Sequence, residues 1–434
     1  MRIIQITPGT GNFYCGNCIR DNTLVTALRA LGHDVTMVPL YLPMHTDEHS
    51  ASDGLPIFYG GINVYLQQKM SLFRHTPRWL DKMFDNRGLL FKAAERAGMT
   101  RARDLGELTV SMLEGEEGQQ LKELERLVDW LRHEPPCDLV SLSNVMLIGM
   151  ARKIKAALNV PLVCTMQGED GFLDSLIEPY RSHAWQLLQE RAKDVDLFIG
   201  ISRYYTDIMR ERMKLAPGQA QTVYNGISTH GYDPVDPHPT EIKIGYISRF
   251  CHAKGFSTLV DAFIHLHKEL KYEHATLHLG GSMTRSDEDY VAQIREKWVN
   301  HGLESHVHLH PNLSREEKIQ FLQGLHVMSV PATYGEAFGL YVLEGLLAGV
   351  PQVLPRHAVF PELAQQMEGL FLCEPDDPAA LAHELKRVLD DLAESRKKAL
   401  AGRAKVLAEF SAERMAQNYL QAVQPLISGR TVEK

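Results

Sequence analysis

One rhythm constrains this chain more than any other feature. Short, nearly unbroken runs of Ile, Leu and Val alternate with amphipathic helical stretches along most of its length. In the first half the runs are RIIQIT (2–7), DVTMVPL (34–40), DLVSLS (138–143), PLVCT (161–165) and DLFIGI (196–201). Strands this apolar on both sides are covered by helices on both faces, which implies parallel sheets. LVTALRALG (24–32) is one such helical stretch, ending at a C-capping Gly32. The segment THGYDPVDPHPTE (229–241) holds three prolines and three acids and reads as a linker. The pattern then resumes with IKIGYIS (242–248), ATLHLGG (275–281), HVMSVP (326–331) and QVLP (352–355).

The predicted fold class is therefore α/β, with two doubly wound Rossmann-like domains. The first spans 1–228, the linker 229–241 and the second 242–410. A last helix, 411–434, could pack on either domain, including back on the N-terminal one. In such sheets, ligands bind at the carboxyl ends of the strands, so two facing domains make a central cleft.

Charge narrows the function. The net charge is -8, which disfavours a nucleic-acid binder, since that needs a basic face. A small anionic ligand needs only a few local cations. MRIIQIT stops at Pro8 and Gly9 and reads as a buried strand, not a signal peptide. The stretch LVSLSNVMLIGMA (139–151) is too short to span a bilayer, which takes about 20 residues. Six cysteines without an export signal suggest reduced thiols and a cytoplasmic location.

A basic helical insertion, about 67–110, breaks the rhythm. From Lys69 to Arg103 it carries nine Lys/Arg against three acids, with Phe73, Trp79, Phe84 and Phe91 among them. Two readings stand. One is a solvated helical lid. The other, through 69–103, is a peripheral contact with an anionic acceptor or the inner face of a membrane.

The chemistry concentrates in PATYGEAFGLYVLEGLLAGVPQVLP (331–355), which reads strand, loop, helix, strand. Glu336 lies in the loop and Glu344 in the helix, eight positions later. The helix should begin near Phe338 and Gly339, so its first amides and its dipole offer an anion site. Gly335 and Gly339 allow close backbone approach. Glu344 is an acid on an otherwise apolar helix and needs a partner. In SRFCHAKGF (248–256), Arg249 and Lys254 follow a strand, five apart, and suit a diphosphate.

The arrangement Glu336-AFGLYVL-Glu344 followed by GLLAGVPQVLP resembles the retaining glycosyltransferases of family 4, which have the GT-B fold. The likeness extends to the Gly-rich first loop, LRALGHDV (28–35), YNGI (224–227), GYISRFCHAKGF (245–256) and FSAERMAQNYL (410–420). It implies a hexosyltransferase that moves a sugar from a UDP-, GDP- or ADP-linked donor to a sugar, glycan or lipid-linked acceptor. It implies Arg249 and Lys254 on the phosphates and Glu344 on the ribose hydroxyls. Glu336, with the amides of Phe338, Gly339 and Leu340, would hold the donor sugar. It further implies retention of configuration, with no protein nucleophile, cofactor or metal. The departing phosphate would take the acceptor's proton on the same face. Two alternatives are a nucleotide-sugar epimerase or hydrolase, which would consume donor alone, and a non-catalytic nucleotide-sugar-binding protein.

The loop TPGTGNFYCGNC (7–18) follows the first strand and opens the first helix. Gly9, Gly11 and Gly16 would let the backbone approach sugar or phosphate. The spacing G-x-G-x4-G is not that of dinucleotide folds, which disfavours a dehydrogenase. Cys15 and Cys18 could be packing thiols, a redox pair or half a metal site. Arg20 and Asp21 could line the cleft or pair with each other.

Two departures from the family pattern stand out. Many members carry His-Gly after the strand that here reads PLVCT, and this chain has Gln167. An amide can donate and accept hydrogen bonds but cannot titrate. Glu169 and Asp170, beside it, would orient acceptor hydroxyls or cap a helix. The second is GGINVYLQQKMSLF (60–73), similar to a strand of bacterial starch and glycogen synthases, while the lysine those enzymes carry before the paired glycines is missing from TPGTG.

Overall fold

The computed structural model describes residues 1–9, 16–42, 50–52, 56–60, 64, 66–68, 102–236 and 241–428. Gly11, Cys15 and residues 69–101 of the basic insertion lie outside the described residues. The chain divides into two compact units, Met1–Gly226 with Ala412–Lys434, and Ile227–Ser411.

The N-terminal unit is built on six strands: β1 (Arg2–Pro8), β2 (Asp34–Leu40), β3 (Leu139–Leu142), β4 (Leu162–Met166), β5 (Leu197–Gly200) and β6 (Ala220–Thr222). They pair in parallel in the order β2-β1-β3-β4-β5-β6. Every residue of β3, β4 and β5 is buried, as their unbroken apolar runs require. The first helix, Gly16–Ala30, ends in Gly32 at φ 85°, a left-handed position that glycine adopts without strain. Its Leu24, Val25 and Leu28 pack into one core with Ile3, Leu139 and Val163. Met415, Tyr419 and Val423 of the helix Ala412–Ser428 enter the same core. Each such side chain stabilises the unit by about 1.5–3 kcal/mol. The chain therefore closes on the domain where it begins.

The C-terminal unit repeats the design with β7 (Ile242–Ile247), β8 (Ala275–Gly281), β9 (Val307–Pro311), β10 (Val327–Ser329), β11 (Gln352–Pro355) and β12 (Leu370–Cys373). Their parallel order is β12-β11-β10-β7-β8-β9. Numbered from β7, this is the 3-2-1-4-5-6 order of the Rossmann sheet, whose direction reverses between its first and fourth strands. Here that switch point lies between β7 and β10. Residues 227–236 run along this unit. Tyr232 is buried in it, and Gln323 donates to the carbonyls of Gly231 and Asp233.

Candidate active site

In the C-terminal unit, the loops that leave β7 and β10 flank the switch point. After β7 the chain forms a short 3-10 turn, His252–Lys254, before the helix Phe256–Lys268. Gly255 joins the two at φ 68°, and a Cβ there would lie 1.9 Å from the carbonyl oxygen of Pro331. Only glycine lets the two loops approach this closely. The approach is sealed by the Thr333 amide on the Ala253 carbonyl, at 3.0 Å. It places Lys254 Nζ 2.5 Å from Glu336 Oε2 and 2.6 Å from the Tyr334 hydroxyl. The Glu336 carboxylate also accepts from Tyr334 at 3.0 Å and from Tyr341 at 3.1 Å.

Arg249 stands at the same strand end, more exposed. Its carbonyl accepts from Tyr246 at 2.6 Å, and its Nη2 is directed at Cys251 Sγ, 3.8 Å away. The next helix is Leu340–Leu347, with Gly339 at its N-cap in the left-handed region, φ 80°. This matches the start predicted near Phe338 and Gly339. Phe338 itself is buried, 6.4 Å from the Phe410 ring. Glu344 finds its partner across the unit: Lys318 Nζ at 2.7 Å, with the Tyr232 hydroxyl at 3.1 Å. Val342, Leu343, Leu346 and Leu347 are fully buried and anchor the helix that presents both Gly339 and Glu344.

In the N-terminal unit, the ends of β1 and β3 meet at that sheet's switch point, and a buried polar cluster fills the place. Asp21 is its centre. Its carboxylate accepts from Thr7 Oγ1 at 2.9 Å, from Ser143 Oγ, from Arg20 Nη1 at 3.1 Å and from Gln167 Nε2 at 3.2 Å. Arg20 and Asp21 thus pair, and both are fully buried. Arg20 also donates to Asn225 at 3.3 Å. The Gln167 amide donates a second time, to the Ser143 carbonyl at 2.6 Å. Both partners can only accept, so the amide orientation follows from chemistry alone.

Glu169 follows, buried, and takes a different role from capping. Its carboxylate accepts from the Val145 amide at 3.2 Å, the Gln167 amide at 2.8 Å and the Tyr205 hydroxyl at 3.0 Å. It thereby ties the loop after β4 to the loop after β3. Burial pushes its pKa up to about 7, against the hydrogen bonds that favour the ionised form. Asp170 opens the short helix Asp170–Ser175, and its amide donates to the Tyr205 oxygen at 3.3 Å. Gly9 is needed by the fold, since a Cβ there would meet the Leu42 carbonyl at 1.5 Å. Gly16 has open space around it. Cys18 is buried, with its thiol on the Pro8 carbonyl at 2.9 Å. Among the described residues, no group of three or more His, Cys, Asp or Glu is arranged to hold a metal ion, and no helix is long and apolar enough to cross a membrane.

Residues 234–405 match the family of glycosyl transferases group 1, and residues 93–230 match glycosyltransferase family 4. The chain belongs to this glycosyltransferase family. A glycogen synthase of Mycobacterium tuberculosis is 25% identical over 407 residues, which cover 92% of this chain and 89% of that protein. An N-acetyl-alpha-D-glucosaminyl L-malate synthase of Bacillus anthracis is 26% identical over 208 residues, 46% of this chain and 52% of that protein. Among solved structures, sucrose-phosphate synthase from Thermosynechococcus elongatus superimposes with a TM-score of 0.71 at 18% identity, covering 99% of this chain and 100% of that one. Anabaena HepE, solved with UDP and glucose, gives 0.70 at 15% identity, covering 97% and 99%. The two Rossmann-like units are those of the GT-B fold, and the glycosyltransferase works with a nucleotide-sugar donor.

Within this glycosyltransferase the structure brings Lys254 and Glu336 into contact and keeps Glu344 apart from them, on Lys318. Arg249 shares their strand end without touching Glu336. Gln167, Glu169 and Asp170 cluster in the other unit around Asp21 and Tyr205. Sequence reasoning missed Tyr334, Tyr341, Lys318, Thr7, Ser143 and Tyr205. Tyr334 and Tyr341 were in plain view inside the most informative stretch. A polar aromatic on an aliphatic helix was the signal that could have singled out Tyr341.

Proposed function

We propose that this glycosyltransferase transfers a hexose from a nucleoside diphosphate sugar to a sugar, glycan or lipid-linked acceptor with retention of configuration. The observation that carries the reading is the contact of Lys254 with Glu336 at the β7–β10 switch point, beside the start of the helix Leu340–Leu347. Arg249, Lys254 and the positive end of that helix take the diphosphate, whose charge grows as the glycosidic bond breaks. Glu336, with the backbone of Phe338, Gly339 and Leu340, takes the donor sugar. Glu344 takes the ribose hydroxyls. A phosphate oxygen of the leaving group accepts the acceptor's proton on the face where the new bond forms. No metal enters this scheme, because the cations and the helix start neutralise the phosphates. On the acceptor side, Gln167 Oε1 accepts from a hydroxyl, its two amide hydrogens being occupied, and Asp170 and Glu169 complete that half.

UDP conjugates are the first to test, since HepE was solved with UDP and glucose. The assay is a thermal-shift panel with UDP, GDP and ADP and their glucose conjugates. A ligand at about 100 times its Kd stabilises the folded state by about 2.7 kcal/mol. One nucleotide should stand out, and Glu344→Ala, binding it about tenfold more weakly, should remove about half of its shift. A panel in which none of the six compounds moves the transition would overturn the donor assignment.

A further inference from the structure

Glu336 is surrounded by more donors than the assigned roles explain. A carboxylate offers about four lone-pair directions. Tyr334 occupies one on Oε1, and Tyr341 and Lys254 occupy two on Oε2. The Tyr341 phenol is buried and that of Tyr334 is half-buried. Burial, and then the charge of Glu336, push their pKa values well above the ordinary tyrosine value, so each keeps its proton. Since a carboxylate can only accept, each hydroxyl must donate to it. Lys254 differs from them, because its ammonium also suits a diphosphate. The tyrosines hold the carboxylate; the lysine shares it.

The backbone is arranged to make this possible. Tyr341 is the second residue of the helix Leu340–Leu347, and its ring folds back over the N-cap. A Cβ on Gly339 would sit 3.1 Å from the Tyr341 Cζ and 3.3 Å from its hydroxyl. Gly339 thus leaves room for the Tyr341 ring as well as for a ligand. On the other side, Lys254 lies over the Tyr334 ring, 4.8 Å from its centre, and donates to its hydroxyl. Tyr334 is therefore clamped from two directions, by a cation and by the carboxylate.

Taking the donor half-site proposed above, we propose that Tyr334 and Tyr341 are positioning residues that hold the Glu336 carboxylate with its remaining lone pairs toward the donor sugar. They act through Glu336 and need not touch the substrate. A diphosphate competes with Glu336 for Lys254, and the lone pair so released faces the sugar. The tyrosines keep the carboxylate in place when the lysine moves. The role is specific to the sugar part of the donor, and the nucleotide part does not depend on it.

The test separates the two parts. The nucleotide is first chosen by titrating wild type with UDP, GDP and ADP in a calorimeter. Tyr341→Phe and Tyr334→Phe are then titrated with that diphosphate and with its glucose conjugate, after thermal melts have shown wild-type unfolding. Each substitution removes one hydroxyl donated to a charged acceptor and keeps the ring; Tyr334→Phe also removes the oxygen that accepts from Lys254, so Tyr341→Phe is the decisive variant. The conjugate should bind about tenfold more weakly, while the free diphosphate binds as tightly as to wild type. Unchanged conjugate affinity in both variants overturns the positioning role. An equal loss for conjugate and diphosphate also overturns it, because the tyrosines would then support the half-site as a whole. If no diphosphate binds wild type, the donor half-site itself is wrong and the tyrosines' role falls with it.

Discussion

Glu169→Gln tests which of two opposing effects governs the buried carboxylate of the N-terminal unit. Burial disfavours the ionised form, while the Gln167 and Val145 amides and the Tyr205 hydroxyl favour it. The balance leaves the folded-state pKa at about 7, above the ordinary carboxylate value of 4.5. The sign follows from proton linkage. Between those two values the folded chain holds a proton that the unfolded chain has lost, so folding stability falls as pH rises. The contribution is fully present below the unfolded pKa and lost once pH passes the folded one. Between pH 5 and pH 8 the loss should be about 2.5 kcal/mol, nearly all of it below pH 7. Gln does not titrate. It also loses one accepted hydrogen bond, because its NH2 must face either the Val145 or the Gln167 amide, and this costs about 1–3 kcal/mol at every pH. The variant should therefore be less stable than wild type near pH 5, and the gap should close by pH 8. The assay is equilibrium urea unfolding of both proteins at pH 5, 6, 7 and 8, following the transition that the substitution moves. Taking the difference between the proteins cancels every other titrating group. A difference that stays flat across this range would refute the reasoning and show that hydrogen bonding outweighs burial at Glu169.

The donor side gives further expectations. Lys254→Ala should lower kcat by roughly a hundredfold or more with little change in donor KM, since its charge matters most as the diphosphate leaves; steady-state kinetics read both. Glu344→Ala should weaken donor binding about tenfold. It should also lower the melting temperature, because it removes the carboxylate that accepts from the buried Tyr232 and pairs with Lys318. Gly255→Ala forces a side chain into the left-handed region against Pro331, and should cost at least about 1–3 kcal/mol, measured by urea unfolding. His278 meets His308 and His310 on the neighbouring strand, with Lys243 and Glu241 near them. Burial, then the two histidines, push its pKa down to about 4. Its contribution to stability is present above about pH 6.5, the ordinary histidine value, and is lost as pH falls toward 4. His278→Asn should flatten that loss in acid melts.

How much of this was legible in the sequence depended on where a residue sits in its sheet. The strands read correctly include all the central ones, β1, β3, β4, β5, β7, β8, β10 and β11, where cover on both faces produces an unbroken apolar run. The strands missed were β6 (AQT), β9 (VHLHP) and β12 (LFLC). All three are edge strands. An edge is partly solvated, so polar residues are tolerated in β6 and β9 and the run loses its signature, whereas β12 is apolar throughout but only four residues long, too short a run to stand out by itself. The edge strand β2 was found because Met37, Val38, Pro39 and Leu40 form an unbroken, buried apolar run.

The site divides along a similar line. Arg249, Lys254 and Glu336 could be placed from sequence because they lie just beyond strand ends, and the sheet order brings those ends together. Partners supplied by packing from elsewhere, such as Lys318 on Glu344 or Asp21 on Gln167, leave no local trace. Gln167 shows what the fold adds. In the sequence it is an amide able to donate or accept, standing where the family often has histidine. In the fold its two hydrogens meet two groups, Asp21 and the Ser143 carbonyl, that can only accept. A neutral imidazole has a single N–H and would leave one of them unmet in a buried place. An imidazolium carries its two N–H groups on separate ring nitrogens, directed apart. Glutamine answers both acceptors from one nitrogen. The buried Asp21, already held by Thr7, Ser143 and Arg20, thus gives a physical reason for an amide at 167 that the sequence alone did not show.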